Sequence, residues 1–363
     1  MDIEFLPIRD NHVEILAAPG GQRPAYHCFE PDQLRAVNAA LACGRPLLVR
    51  GEPGIGKSQL ARAAAKALGR AFITHVVDAR TESRDLLWHF DAIGRLAEAQ
   101  AIGALQPRLE ETAGCDEKDR QAQIETALTA LRDRLRVDRF LHPRALWWAL
   151  NWESAAAQAA VVTSLEAEQL EAEQPPQPDR GDRRRGCVVL IDEIDKAESD
   201  VPNGLLEALG AGCFTPQGHA KPVTAVGPPP LVVVTTNEER ALPDAFIRRC
   251  LVLHLALPRE PEALVARLIE RGRTHFGDID GRPQVLPEVL ATAANLLADD
   301  RAEALRRQWR PLPGQAEYLD LVRAVVVQAR GDLDRQAALI GQVADFVLKK
   351  HPDAVRAAPA TPS

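Results

Sequence analysis

One octapeptide constrains the fold of this chain more than any other stretch, because it matches the pattern G-x-x-x-x-G-K-[ST] completely. A short apolar, β-prone run at 46–50 precedes it, and apolar residues at helical spacing follow it as far as Gly69. Between a strand and a helix, such glycines let backbone N–H groups turn toward a phosphate. The sequence therefore predicts a loop that binds a nucleoside triphosphate. The residues expected to touch the nucleotide are Gly51, Glu52, Pro53, Gly54, Ile55, Gly56, Lys57, Ser58 and Gln59.

Two side chains of this loop and two acids further along the chain have predicted chemical roles. Lys57 should reach the β- and γ-phosphates, and the Ser58 hydroxyl should bind Mg²⁺. The apolar run 187–191 ends in Asp192 and Glu193, which is typical of a buried parallel strand with a Walker B end. Asp192 is expected to hold Mg²⁺ through its water shell, and Glu193 to orient and deprotonate the attacking water.

A polar residue and two arginines with possible roles in hydrolysis follow Glu193 along the chain. Asn237 ends a second apolar strand, 231–237, where its amide can hydrogen-bond the γ-phosphate or the attacking water. Arg248 and Arg249 stand just before a final apolar strand at 251–255. They form either a surface ion-pair site or an arginine finger, which supplies positive charge to the γ-phosphate bound by a neighbouring subunit.

After the second predicted strand, 71–77, the residues between Asp85 and Arg185 are predicted to be a helical insertion without strands. One helix is expected from Thr81 to Gln100, capped by Thr81 or Ser83, and 180–185 is expected to be a flexible loop. The aromatic stretch 141–150 contains Trp147 and Trp148. Their burial against helices of the insertion is favoured over a role in gripping a partner.

Composition limits the classes of protein that fit. The chain has 363 residues, of which 46% are apolar and 26% charged, as in soluble globular proteins with two or three domains. No apolar run reaches membrane-spanning length, the N-terminus lacks the basic start of a signal peptide, and the six cysteines are scattered. These features predict a cytoplasmic protein. The net charge of −7 disfavours a nucleic-acid coat without excluding a local basic channel.

In this order, the motifs around Lys57, Glu193, Asn237 and Arg249 resemble those of an AAA+ ATPase, and the resemblance covers about residues 25–350. The stretch 85–100 and Leu146-Trp147-Trp148 look like the MoxR group of that superfamily. The resemblance implies an α/β fold: a P-loop parallel sheet flanked by helices, with a helical insertion, followed by an all-α lid domain. The implied boundaries are a lead-in (1–30), a nucleotide-binding domain (31–256, with the insertion at about 86–186), a lid (257–350) and a disordered tail (351–363).

The resemblance also implies how such a chain works. It implies a six-membered homo-oligomeric ring, with ATP and Mg²⁺ at the subunit boundaries. Asn237 would be sensor 1, and Arg249 or Arg248 the arginine finger. The ring would remodel a protein partner, often one with a von Willebrand factor A domain. The hairpin around Phe214 and the helix from Asp85 would face the central pore or one face of the ring.

Two positions near the nucleotide remain open. The lids of such proteins place a basic sensor 2 residue at the start of their third helix, where this chain has Leu312, so Arg310 is the nearest candidate, with Arg307 behind it. Tyr26 is expected either to pack on the adenine or to belong to the core.

Other functions explain fewer of these residues. A nucleic-acid-dependent motor of a restriction or defence complex is the alternative function, but the acidic balance and the lack of a recognisable DNA-binding module disfavour it. A nucleotide switch that scarcely hydrolyses ATP conflicts with the presence of both Glu193 and Arg249. A small-molecule kinase needs neither Asn237 nor an arginine from a neighbouring subunit.

Overall fold

The computed structural model describes residues 4–17, 24–112, 117–163, 174–177, 179–277 and 283–352. Its strands are β1 Val13–Leu16, β2 Ala25–Cys28, β3 Leu47–Gly51, β4 Arg70–Val76, β5 Trp88–Phe90, β6 Leu141–Pro143, β7 Asp182–Asp192, β8 Cys213–Phe214, β9 Val223–Thr224, β10 Leu231–Thr236 and β11 Leu251–Leu255. Its α-helices are α1 Pro31–Cys43, α2 Lys57–Leu68, α3 Ala92–Thr112, α4 Glu117–Arg134, α5 Ala145–Leu150, α6 Trp152–Thr163, α7 Asp200–Ala211, α8 Asp244–Ile247, α9 Pro261–His275, α10 Pro287–Arg306, α11 Gln315–Ala329 and α12 Leu333–Leu348.

A parallel sheet of five strands in the order β11-β3-β10-β7-β4 organises the nucleotide-binding part of the chain. Its strands are continuous apolar runs because both faces are covered, as the burial of all six residues of β10 illustrates. Leu47 and Val49 of β3 pack with α1 and α2 on one face, and Leu48 packs with α5 and α7 on the other. The α/β class with a parallel sheet, predicted from the sequence, is confirmed.

The parallel register decides where the polar ends of the strands lie. Val233 of β10 pairs with both Leu47 of β3 and Leu190 of β7. The three strands therefore end at the same edge of the sheet, and the loop after β3, the acids after β7 and the polar residue after β10 meet there. We call residues 51–58, which follow β3, the phosphate loop.

The segment after β4 is not the single helix predicted for 81–100. It forms a 3₁₀ helix, Ser83–Leu86, then β5, which pairs antiparallel with β6, and only then α3. The backbone N–H of Asp91 continues the pairing by donating to the Phe140 carbonyl at 2.8 Å. Asp91 then accepts a hydrogen bond from the Gly94 N–H at 2.7 Å and so starts α3 in place of Thr81 or Ser83.

The prediction of a flexible loop at 180–185 is also wrong for most of that stretch. β7 begins at Asp182 and includes the three arginines 183–185, five residues before its apolar part. β4 fixes both ends of this stretch. Arg70 pairs with Asp182, whose N–H donates to the Gly69 carbonyl at 3.0 Å, and Ala71 pairs with Cys187, so residues 183–186 form a bulge between the two pairs. The arginine side chains stay exposed along the extended strand.

Trp147 and Trp148 are buried, as predicted, with 0% and 4% of their surfaces exposed. The Trp147 indole N–H donates to Ser154 Oγ at 3.1 Å, and its ring meets Phe214 edge-on at 5.5 Å between centroids. Helix α5 packs on β4 and β7, so the aromatic stretch belongs to the core beneath the sheet and not to a separate insertion core.

Four helices, α9–α12, which we call the lid, follow the sheet. Buried Leu268, Leu297 and Val322 of the lid belong to the same apolar cluster as Leu60 of α2. The hairpin β1–β2 packs on α2, and β2 also contacts α9. The tail predicted from 351 lies outside the described residues after His351 and Pro352. No helix in the described part of the chain is long and apolar enough to cross a membrane.

Replacing Trp147 by Ala should lower the free energy of unfolding by about 3–5 kcal/mol, because it opens a cavity beneath the sheet. Urea denaturation followed by circular dichroism measures the change. Phe346→Ala is the matched control, since that ring is 86% exposed and its removal should change stability by less than about 0.5 kcal/mol. Equal effects of the two substitutions would contradict the burial described here.

Candidate active site

A cavity of about 700 Å³ lies where the carboxyl edge of the sheet meets the lid and the β1–β2 hairpin. It contains the phosphate loop and the ends of β7 and β10, and the lid closes its other side. The described residues that line it are Pro24, Ala25, Pro53, Gly54, Gly56, Lys57, Ser58, Gln59, Asp192, Glu193, Thr235, Asn237, His275, Gln315, Ala316, Leu319, Asp320 and Arg323. The structure thus brings together predicted residues that are up to 184 positions apart, from Pro53 to Asn237, whereas Gly51, Glu52 and Ile55 of the predicted set are not among the described lining residues.

The conformation of the phosphate loop requires glycine at two positions. At Gly51, with φ 152°, a Cβ would lie 2.3 Å from the Leu255 carbonyl oxygen. At Gly54, with φ 74°, it would lie 2.5 Å from the Cβ of Ala316 in the lid. Any side chain at either position would displace the neighbouring strand or helix. Helix α2 begins at Lys57, within the last two residues of the loop, so the unpaired N–H groups of its first turn lie at the cavity that Lys57, Ser58 and Gln59 line.

Lys57 is only 6% exposed and connects the loop to the end of β10. Its ammonium donates to the Gly51 carbonyl at 2.8 Å, the Glu52 carbonyl at 3.0 Å and Asn237 Oδ1 at 2.7 Å. Burial lowers the pKa of Lys57, and the carboxylates of Asp192, Asp195 and Glu193 oppose that shift. The lysine and the predicted sensor residue are therefore in direct contact.

Asp192 lies between two hydroxyl groups. Ser58 Oγ is 2.9 Å from each carboxylate oxygen, and the hydroxyl of Thr235 donates to Oδ1. Thr235 is fully buried in β10 and also accepts the Glu193 N–H at 3.0 Å. A serine hydroxyl beside a carboxylate supplies the oxygen ligands that Mg²⁺ prefers, so the residues fit the predicted ion.

Glu193 has a left-handed backbone, with φ 61°, which turns its side chain from the strand into the cavity. Asn237 Nδ2 lies 3.5 Å from Glu193 Oε1, and the ammonium of Lys196 donates to Oε2. This hydrogen bond raises the pKa of Lys196. Both carboxylate oxygens therefore have a donor nearby, which orients the carboxylate in the cavity.

Asp195 is a residue that the sequence analysis did not single out. It is 2% exposed, and its Oδ2 accepts the backbone N–H of Asn237 at 3.2 Å and that of Glu239 at 2.9 Å. These bonds fix the turn after β10 to the end of β7 and hold Asn237 in place. Asp195 and Thr235 were both visible as polar residues next to the predicted strand ends, but only the parallel register shows what they contact.

The arginine of the lid that lines the cavity is Arg323, eight residues into α11. Arg310 is exposed and is not among the described lining residues, so the structure does not bring the predicted sensor 2 candidate to the site. Arg323 pairs with Asp320 at 2.7 Å. The basic residue was expected at the start of this helix, and Arg323, two turns further on, was not predicted.

His275 of the lid forms another part of the cavity wall. Burial, with smaller contributions from Arg323 and Arg271, lowers its pKa to about 4, so the imidazole is neutral at pH 7. Tyr26 meets the His275 ring edge-on at 5.5 Å between centroids. The tyrosine therefore packs behind a residue of the wall and is not itself among the described lining residues.

Arg248 and Arg249 lie on an exposed turn at the end of α8, outside the cavity lining of their own chain. Their carbonyl oxygens accept hydrogen bonds from the Arg45 side chain, at 2.9 Å for Arg249. Arg45 thus fixes the backbone of the turn and leaves both guanidinium groups at the surface.

Residues 46–113 match the family of the AAA domain, dynein-related subfamily. The sequence matches none of the curated proteins. Among solved structures, a proposed ATPase from Cytophaga hutchinsonii has 15% identity and a TM-score of 0.33, over 87% of this chain and 79% of its own. A mutant of RuvB from Thermotoga maritima has 15% identity and a TM-score of 0.42, over 90% of this chain and 71% of its own.

Replacing Lys57 by Ala should abolish ATP binding, because it removes the buried cation that faces the cavity. Titration with a fluorescent ATP analogue measures the dissociation constant. Lys221→Ala, at an exposed lysine of the turn between β8 and β9, should bind as the wild type does. An unchanged affinity of the Lys57 variant would disprove the assignment of the phosphate loop.

Proposed function

We propose that this chain, an ATP-hydrolysing P-loop enzyme of the AAA+ superfamily, binds Mg-ATP at the subunit boundaries of a homo-oligomeric ring and remodels or activates a protein partner. The observation that carries this proposal is that the predicted catalytic residues lie in two separate places. One face holds Lys57, Ser58, Asp192, Glu193 and Asn237 around a single cavity, whereas the predicted arginine finger lies on an exposed turn outside it.

Within one subunit, the residues of the cavity suit the binding and hydrolysis of ATP. Lys57 would exchange its loop carbonyls for phosphate oxygens, and the start of α2 would donate backbone N–H groups to them. Ser58 and Asp192 would hold Mg²⁺, which neutralises charge on the phosphates. Glu193 would accept the proton of the attacking water, and Asn237 would orient that water or the γ-phosphate.

The positive charge at the transition state would come from a second subunit. Arg323 and Lys57 line the cavity from the chain itself, while Arg248 and Arg249 are held at the surface by Arg45. An arginine presented in this way serves a neighbour's nucleotide, which makes hydrolysis depend on assembly. A ring, and a hexamer in particular, satisfies this requirement at every boundary.

A protein partner is favoured over nucleic acid by the net charge of −7. The MoxR-like segments support the same class of partner, including one with a von Willebrand factor A domain. The hairpin β8–β9 would present its exposed turn and not Phe214. That ring is 9% exposed and stacks on Trp88 at 5.7 Å between centroids, so it anchors the hairpin.

The experiment that tests the proposal uses Glu193→Gln as a trap. The variant is isolated from its native cell with Mg-ATP, and the material that co-purifies is identified with and without nuclease treatment. A stoichiometric protein that survives nuclease supports a protein remodeller. Nucleic acid that is recovered only without nuclease would replace it by the motor of a restriction or defence complex.

Glu193→Gln should bind ATP with unchanged affinity but hydrolyse it at least ~10²-fold more slowly, the usual scale of a general base. Phosphate release under saturating Mg-ATP measures the rate. Glu207→Gln, on the surface of α7, is the control and should hydrolyse ATP at the wild-type rate. A wild-type rate for the Glu193 variant would place the base at another residue.

Arg249→Ala should lose hydrolysis while retaining ATP binding, and mixing it with Glu193→Gln should restore part of the rate. In the mixture, some boundaries combine an intact Glu193 with an intact Arg249. Arg248→Ala, measured in parallel, identifies which arginine acts. The control is a mixture of Glu193→Gln with the double variant that carries both Glu193→Gln and Arg249→Ala, because no boundary then has an intact Glu193. Mixed rings without any recovery would argue against a finger acting between subunits.

A further inference from the structure

Arg301 of the lid contacts the phosphate loop directly, although no motif includes it. It lies on α10, is 8% exposed, and its Nη2 donates to Glu52 Oε1 at 2.7 Å. Its Nη1 donates to the Pro313 carbonyl at 2.9 Å, just before α11. A single guanidinium therefore joins the loop that faces the phosphates to the segment that leads into α11.

The loop end of this contact is continuous with the cavity. Glu52 also gives its carbonyl oxygen to the Lys57 ammonium at 3.0 Å. Two positions further along the loop, Gly54 lies against Ala316, in the first turn of α11. The loop thus meets the lid at two points, one a charged hydrogen bond and the other a contact so close that only glycine fits.

The Arg301 contact differs from a surface ion pair in what its loss would leave behind. A guanidinium that is almost fully buried requires its partners, because an unpaired buried charge is strongly unfavourable. Glu52 is the less buried partner, with 38% of its side chain exposed. It belongs to the phosphate loop and would therefore move with the loop. Separation of the lid from the loop would leave Arg301 without its carboxylate.

We propose that Arg301 is a positioning residue that couples the lid to the phosphate loop: through Glu52 it holds the loop in the geometry that accepts a triphosphate. This inference rests on the proposed ATP-binding role of the cavity and is independent of the ring, the finger and the partner. Neither Arg301 nor Glu52 needs to touch the nucleotide through its side chain. Both act on Lys57 and the loop backbone.

The test compares Glu52→Gln, Arg301→Gln and the double variant. Each single substitution should raise the dissociation constant for ATP roughly tenfold, the effect of losing one hydrogen bond between charged groups. In the double variant the increase should equal that of one single substitution, because both remove the same contact. Arg301→Lys keeps the charge but not the planar fork, so it should recover part of the affinity. Binding of a fluorescent ATP analogue and the melting temperature are measured for each variant.

Lys349→Gln is the matched control. Lys349 forms an ion pair with Asp300 at 2.8 Å inside the lid, with side chains 12% and 9% exposed. Its loss should lower the melting temperature and leave the affinity for ATP unchanged. If Arg301→Gln does not fold, Glu52→Gln decides alone, because its carboxylate is partly exposed and its substitution leaves the Pro313 contact in place.

Two results would overturn the inference. One is a lower melting temperature with wild-type affinity in the Glu52 and Arg301 variants, which is the behaviour of a merely structural pair. The other is additive losses of affinity in the double variant. Failure of the ATP site itself would look different, since Lys57→Ala would then bind as tightly as the wild type.

Discussion

The position of the Lys57 ammonium depends on the parallel register of β3, β7 and β10 and in turn holds the site together. One buried cation faces the carboxylates of Asp192, Asp195 and Glu193, which oppose the lowering of its pKa by burial. Three hydrogen bonds from its nitrogen offset the loss of water around it. Asp192, Glu193 and Asp195 surround Lys57 with three carboxylates, while Lys196 pairs with Glu193 and Arg323 pairs with Asp320 at the edges of the site. Lys57 is thus the cation that connects the phosphate loop to the ends of β7 and β10.

The sequence predicted those parts of the site whose environment is local. The phosphate loop is a contiguous motif, and the strands that lead to Asp192 and Asn237 are apolar runs long enough to be recognised without their neighbours. The α/β class follows from such runs, since strands buried on both faces form parallel sheets covered by helices.

The features that the sequence did not reveal all depend on distant partners. β5 is a strand because β6, about 50 residues later, pairs with it, and the arginines 183–185 belong to β7 because β4 pairs with the residues on both sides of them. Thr235 and Asp195 acquire roles only when β7 and β10 become neighbours. Arg301 and Arg323 lie on lid helices far along the chain from the phosphate loop, and no local sequence pattern shows that these helices approach the loop or the cavity.

Helix α11 connects these distant contributions. Its first turn presses Ala316 against Gly54, the Pro313 carbonyl before it accepts from Arg301, and Arg323 projects from it into the cavity. A rotation of the lid would therefore change the shape of the phosphate loop, the Glu52 contact and the charge facing the nucleotide together.

The surface turn of Arg248 and Arg249 is attached to the sheet and not to the lid. This turn directly precedes β11, which pairs with β3. Arg45, which lies between α1 and β3, donates hydrogen bonds to the carbonyl oxygens of the turn. The position of the two arginines is thus rigid relative to the sheet of their own subunit, while the nucleotide they would serve is enclosed by the lid of another. In such an assembly, hydrolysis would respond to the angle between neighbouring subunits, because the arginines are fixed to the sheet of one subunit and the nucleotide would lie between the sheet and the lid of the other.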